Sequence, residues 1–182
     1  MQKKWKTHNR REIYRSKWIE LWLDDIEVPS GRRFEHHVLR FPRRSTTAIV
    51  IRDDKILMIW RHRFITDTWG WEVPAGWADI GEDPANAIRR EIEEETGWRV
   101  QSVKAMNSYY AINGIGDMQF TVFLSHDAIH IGNPADTDET ECVGWIPIED
   151  LPRLIATGMI LDGPTLMALS YYLGVYRPLH TS

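Results

Sequence analysis

A chain of 182 residues with 43% hydrophobic and 26% charged residues is long enough to bury a full core without staples. No apolar run approaches the roughly 18 residues that cross a bilayer, Cys142 is the single cysteine so no internal disulfide can form, and the start MQKKWKTHNRR lacks the apolar stretch of a secretory signal. The expectation is a soluble protein of a reducing cytoplasm with no membrane partner, and a formal net charge of -4 offers no broad attraction to nucleic acid.

In chain order, the first eleven residues are locally basic and read as a flexible, solvated end. Over residues 18–28 aromatic and aliphatic side chains crowd together, Pro29-Ser30-Gly31 punctuates, and residues 33–40 resume with Phe34, Val38 and Leu39, which predicts a hairpin. A second antiparallel pair is predicted at residues 46–51 and 55–60, joined across Asp53-Asp54. Trp71-Glu72-Val73-Pro74-Ala75-Gly76 leads into a loop. Asp83-Pro84 then opens a helix, with an N-cap acid and a proline at its first position, and Gly97 closes it. Further strands are expected at residues 100–109, 119–124 and 143–146, and helices near 149–157 and 164–172. Strands interleaved with a few helices, several joined by hairpin turns, indicate the α/β class in a broad sense, a mixed sheet covered by helices.

The helix after Asp83 carries the chemistry. At about 100 degrees per residue, Glu91, Glu94 and Glu95 share one face while Glu93 points to the opposite side. Ala85, Ile88 and Ile92 form an adjacent apolar stripe, with Asn86 and Arg89 on the solvent side. Clustered like charges beside a buried stripe call for a positive counter-charge, and carboxylate oxygens suit a hard divalent ion such as Mg²⁺ or Mn²⁺. Taken alone, the run RREIEEE is also what a plain solvated helix face looks like.

The wider pattern is Gly76, five residues, Glu82, seven residues, Arg90-Glu91-Ile92, one residue, Glu94-Glu95, one residue, Gly97. It resembles the signature of the Nudix hydrolases at every fixed polar and glycine position. Trp98 is a departure, standing where the family usually has an aliphatic residue. The resemblance implies the Nudix fold, a mixed sheet between helices, here with an extra antiparallel β region over residues 1–44 ahead of a catalytic domain over 45–182. It implies Mg²⁺, or Mn²⁺, on Glu91, Glu94 and Glu95, with the Ala75 carbonyl and Glu141 as further ligands. Gly76 would allow a tight turn toward the metal, and Glu82, Arg90 and Gly97 would act structurally, Arg90 by pairing with Glu94 one turn on. Water would attack one phosphorus of a diphosphate. The base would be Glu139, in the acidic loop over residues 136–141, with Glu94 as the other candidate for that role.

Arg61-His62-Arg63-Phe64 before the Trp71–Gly76 segment, and the stretch 158–166, are similar to the ADP-ribose or ADP-sugar pyrophosphatase branch. That likeness implies a homodimer formed through the N-terminal sheet and substrate contacts from Arg61 and Arg63; Trp71 and Tyr110, with Trp69, Trp77 and Tyr109, are aromatics near the motif in sequence that could stack on a base. Residues 110–117 lack the proline that ADP-ribose hydrolases commonly carry past the motif. ADP-ribose and other nucleotide sugars therefore both stand, beside triphosphate or dinucleoside polyphosphate hydrolysis and a non-catalytic nucleotide-binding module.

Overall fold

The computed structural model describes residues 3–135 and 140–180. Its first three strands, β1 (Lys6–Arg15), β2 (Glu20–Glu27) and β3 (Arg33–Arg40), make an antiparallel sheet in that order. The predicted hairpin is β2 and β3, turning at Gly31 with φ of 87°, a left-handed conformation that costs glycine nothing. β1 corrects the reading of a flexible end: it pairs with β2 from Lys6 opposite Glu27 to Arg15 opposite Glu20. All ten of its residues are exposed, so no period-two pattern of burial marks it in the sequence. Backbone pairing holds it, supplemented by ion pairs such as Lys6–Glu27, Arg10–Asp24 and Arg15–Glu20. Its outer edge has no strand beside it among the described residues. The outer edge of β3 is met by the turn that follows Tyr110: the Leu39 N–H donates to Ile115 O at 2.8 Å and the Asp117 N–H to Leu39 O at 3.1 Å.

The larger sheet is built around β4 (Arg44–Arg52) and β5 (Lys55–Arg63), the predicted pair across Asp53-Asp54, both of which have positive φ. β5 also pairs with β6 (Thr68–Glu72) and with β12 (Cys142–Pro147), and β4 with β7 (Ala75–Ala78). On its other side β4 runs parallel to β10 (Gln119–Ser125), which pairs antiparallel with β9 (Lys104–Tyr110). A two-stranded ladder joins β8 (Trp98–Arg99) to β11 (Ile129–His130). The segment taken as a loop after Gly76 is thus partly strand, because β7 takes the half of β4 that β5 leaves unpaired.

The helices α1 (Pro84–Thr96), α2 (Leu151–Ala156) and α3 (Gly163–Tyr171) cover the sheet, and α3 continues through Tyr172–Tyr176 to Arg177–His180. β4 is buried on both faces. Ala48 and Val50 pack with Leu57, Ile88 and Ile92 under α1, while Ile49 and Ile51 pack with Met58, Leu151, Leu154 and Leu169 under α2 and α3. Each such side chain fully removed from water contributes about 1.5–3 kcal/mol. Sheet between helices is the expected class. Val73, between β6 and β7, donates its N–H to Thr165 Oγ1 of α3 at 3.2 Å. No helix among the described residues is long and apolar enough to cross a membrane.

Candidate active site

The ends of α1 are those expected from its sequence. Asp83 accepts a hydrogen bond from the Ala85 N–H at 2.8 Å, and Gly97 closes the helix at φ 70°. Ile88 and Ile92 are fully buried, while Glu93 turns outward to Arg99. Trp98 packs edge-on against Trp145, centroids 5.1 Å apart, so the departure from the aliphatic pattern is absorbed by packing. Gly97 has a second constraint: a Cβ there would lie 2.1 Å from the Gly132 carbonyl oxygen. Because that neighbour is backbone and φ is left-handed, Gly97→Ala is expected to lose roughly 2–4 kcal/mol of stability. A thermal melt checks this, and an unchanged midpoint would refute the packing described.

The motif glutamates gather where α1 faces β7. Glu91 packs against Gly76 so closely that a Cβ on the glycine would meet the Glu91 carboxyl carbon at 2.0 Å. Arg90 Nη1 donates to Glu91 Oε1 at 2.8 Å and Glu94 Oε2 at 3.0 Å, and Nη2 to the Trp77 carbonyl at 3.2 Å and Glu82 Oε2 at 3.5 Å. Glu82 also accepts from the Asp79 N–H at 2.9 Å, closing the turn before α1. Glu95 is 4% exposed. Its Oε2 accepts from the Ala75 N–H at 3.1 Å and its Oε1 from Arg61 Nη2 at 2.5 Å. Burial pushes this carboxyl up to about 7, against the pull of Arg61 and the Ala75 amide, and nearby Glu91 pushes the same way. Loss of hydration thus outweighs what one arginine and one amide return.

Arg61 is itself buried, and its Nε lies 4.0 Å from Glu72 Oε2. Glu72, equally buried, grips Arg63 with both oxygens, at 3.0 Å to Nε and 2.6 Å to Nη2. The row Arg63, Glu72, Arg61, Glu95 therefore alternates in charge from the surface into the motif. Beside it opens a cavity of about 860 Å³, walled by Arg61, Arg63, Glu72, Trp69, Glu141 and Asp162 among others. That volume suits a small organic ligand of nucleotide size.

Of the residues singled out from sequence, the structure brings Glu91, Glu94, Glu95, Ala75, Gly76, Glu82 and Arg90 together, and puts Arg61, Arg63 and Glu141 on the cavity wall. Trp71 instead packs on Trp60, centroids 5.4 Å apart, and over Gly144. Tyr110 is exposed at the end of β9, and neither lines the cavity. Glu139 lies outside the described residues; its neighbours in sequence are tied to the motif. The Ala135 N–H donates to the Glu94 carbonyl at 2.8 Å, and the Thr140 hydroxyl to that of Glu95 at 3.1 Å. Glu72, three residues before Ala75, carries no spacing signal of its own in the sequence, because its partners Arg61 and Arg63 come from the neighbouring strand.

Among the described residues no three acidic, histidine or cysteine side chains are already gathered as a metal cage; Arg90 and Arg61 take up carboxylate oxygens of all three motif glutamates. The donor set nonetheless fits a hard divalent cation. It is made of carboxylates, and Glu95 is a buried acid whose charge the protein compensates only in part.

Comparison with known proteins agrees. The family description "NUDIX domain" matches residues 42–167, and "Nucleoside diphosphate sugar hydrolase N-terminal domain" matches residues 5–39. A CMP-5'-(N-acetyl-N-hydroxy-3-aminopropyl)phosphonate hydrolase of Streptomyces rubellomurinus is 34% identical over 174 residues, covering 94% of this chain and 84% of that protein. An ADP-ribose pyrophosphatase of Bacillus subtilis is 28% identical over 168 residues, 91% of each chain. The crystal structure of an ADP compounds hydrolase superposes with a TM-score of 0.85 over 98% of this chain and 97% of its own, at 17% identity, a likeness of fold.

Proposed function

The chain belongs to the Nudix family of hydrolases, and we propose that it hydrolyses the diphosphate bond of a nucleoside diphosphate derivative, a nucleotide sugar or ADP-ribose, with Mg²⁺ or Mn²⁺. The observation that carries this reading is the cavity lined by Arg63, Glu72 and Arg61, the last of which is bonded to Glu95 of the motif. It sets a guanidinium suited to phosphate oxygens beside the acidic motif.

Glu91, Glu94, Glu95 and Glu141, with the Ala75 carbonyl, would hold the cation. When bound it would neutralise phosphate oxygens and lower the pKa of water. Arg63 holds the diphosphate, and Arg61 fixes Glu95. Arg90 holds Glu91 and Glu94 together and oriented through one shared nitrogen. Glu139 takes the proton from the attacking water, with Glu94 as the other candidate. Glu139→Gln is expected to lower kcat about a hundredfold with little change in KM. A steady-state comparison checks this, and an effect below threefold would move the role to Glu94 or another acid of the loop over residues 136–141. The exposed Trp5, Ile13, Tyr14 and Trp18 of the N-terminal region support a second copy of the chain as partner.

The test is a phosphate-release screen of the purified protein with Mg²⁺ or Mn²⁺ against ADP-ribose, ADP- and GDP-sugars, CMP-linked phosphonates, dinucleoside polyphosphates, NADH and nucleoside triphosphates. CMP-linked phosphonates belong in it because the Streptomyces relative bears that name. Preference for a nucleotide sugar or ADP-ribose supports the reading. Preference for triphosphates would keep the metal chemistry and overturn the pocket assignment.

A further inference from the structure

Glu72 is an acid with no assignment in the reaction, yet its surroundings are unusual for a structural ion pair. It sits on β6 opposite Ile59, on the sheet face shared with Arg61 and Arg63 of β5. Gly70, between Glu72 and Thr68 on that face, has no side chain to stand in the way, and a Cβ there would already lie 3.4 Å from the Met159 carbonyl. Arg63 can therefore lie back along the strand to reach Glu72. The two groups differ in environment: the Glu72 side chain is 5% exposed, that of Arg63 46% and on the cavity wall.

We infer that Glu72 is a positioning residue that fixes the guanidinium plane of Arg63 for the diphosphate. The inference rests on the reading of the cavity given above. A two-point grip through Nε and Nη2 removes the torsional freedom a long side chain would otherwise lose on binding, and a guanidinium held in plane meets phosphate oxygens without reorganising. Because the Glu72 side chain is 5% exposed and both of its oxygens are taken by Arg63, it contributes to binding through Arg63. Its second neighbour, Arg61, supplies positive charge at 4.0 Å and keeps the buried carboxylate from being carried by Arg63 alone.

The experiment is a double-substitution cycle read by calorimetry with α,β-methylene-ADP and Mg²⁺, a probe whose P–C–P bridge resists hydrolysis. Arg63→Ala and Glu72→Gln are each expected to weaken binding about tenfold or more, and the double variant to bind no worse than Arg63→Ala alone. A purely structural fault at Glu72 would weaken binding again in the Arg63→Ala background, and that multiplicative result overturns the inference. So does full affinity of Glu72→Gln beside a weakened Arg63→Ala, which leaves the reading of the cavity intact. Full affinity of Arg63→Ala overturns both. Should Glu72→Gln fail to fold, Glu72→Asp serves in the same cycle, since it keeps the charge but draws it back by one methylene.

Discussion

Replacing Glu95 by glutamine is expected to cut turnover by roughly three to five orders of magnitude while the protein still folds. Glutamine keeps the shape of the side chain and an oxygen for the Ala75 N–H, and Arg61 retains Glu72 as counter-charge. What is lost is a buried anionic oxygen for the cation. The same substitution has a second, independent signature in stability. The Glu95 carboxyl is pushed from an ordinary 4.5 up to about 7. Below the lower value both folded and unfolded states are protonated, and the group has no effect. Between the two values the folded chain keeps a proton that the unfolded chain releases, so stability falls as pH rises, then levels off. For metal-free protein that component amounts to about 3 kcal/mol. Glu95→Gln should abolish it, and a divalent cation should abolish it in the wild type. Melting curves from pH 4 to 8, with and without Mg²⁺, read both effects. Turnover within tenfold of wild type would remove Glu95 from the metal site.

Gly76→Ala is expected to reduce turnover by about two to three orders of magnitude, again with folding largely retained. The added methyl group would collide with the carboxyl end of Glu91, a flexible group that can swing away at little cost in stability. Its new position withdraws an oxygen donor from the site and breaks the bond to Arg90. The contrast with Gly97→Ala is diagnostic, since there the obstacle is backbone and the loss appears in the melt. Normal turnover of Gly76→Ala would mean that Glu91 works from another rotamer.

The motif was legible in the sequence because its physics is local. One helix, with caps at Asp83 and Gly97 and period 3.6, puts three carboxylates on one face, and no tertiary information is needed to see it. The hairpins of β2 with β3 and of β4 with β5 were equally plain from turn residues between apolar runs. β1 escaped because nothing on it is buried, and β7 because its pairing follows from a vacancy along β4, a matter of sheet geometry. The arginines show the same divide. Arg61 and Arg63 were picked out together, but that one is buried against Glu95 and the other half exposed depends on which way each side chain reaches and on the gap at Gly70. Trp71 and Tyr110 were chosen for nearness in sequence, and the fold directs one into packing and the other to the surface away from the cavity. The role of Glu72 required seeing two strands at once.

The outer edge of β1 bears on how the protein behaves in a crowded solution. Ten residues of extended backbone along an edge with no strand beside it among the described residues offer a template for another extended chain. Lys6, Arg10, Arg11 and Arg15 pair with Glu27, Asp24, Glu35 and Glu20, so a second copy meeting this edge faces paired rather than bare charge. Residues that add nothing to the core thus shape what this edge can meet. Removing those charges would leave the core intact and free Glu27, Asp24, Glu35 and Glu20 to repel or recruit whatever chain lies alongside.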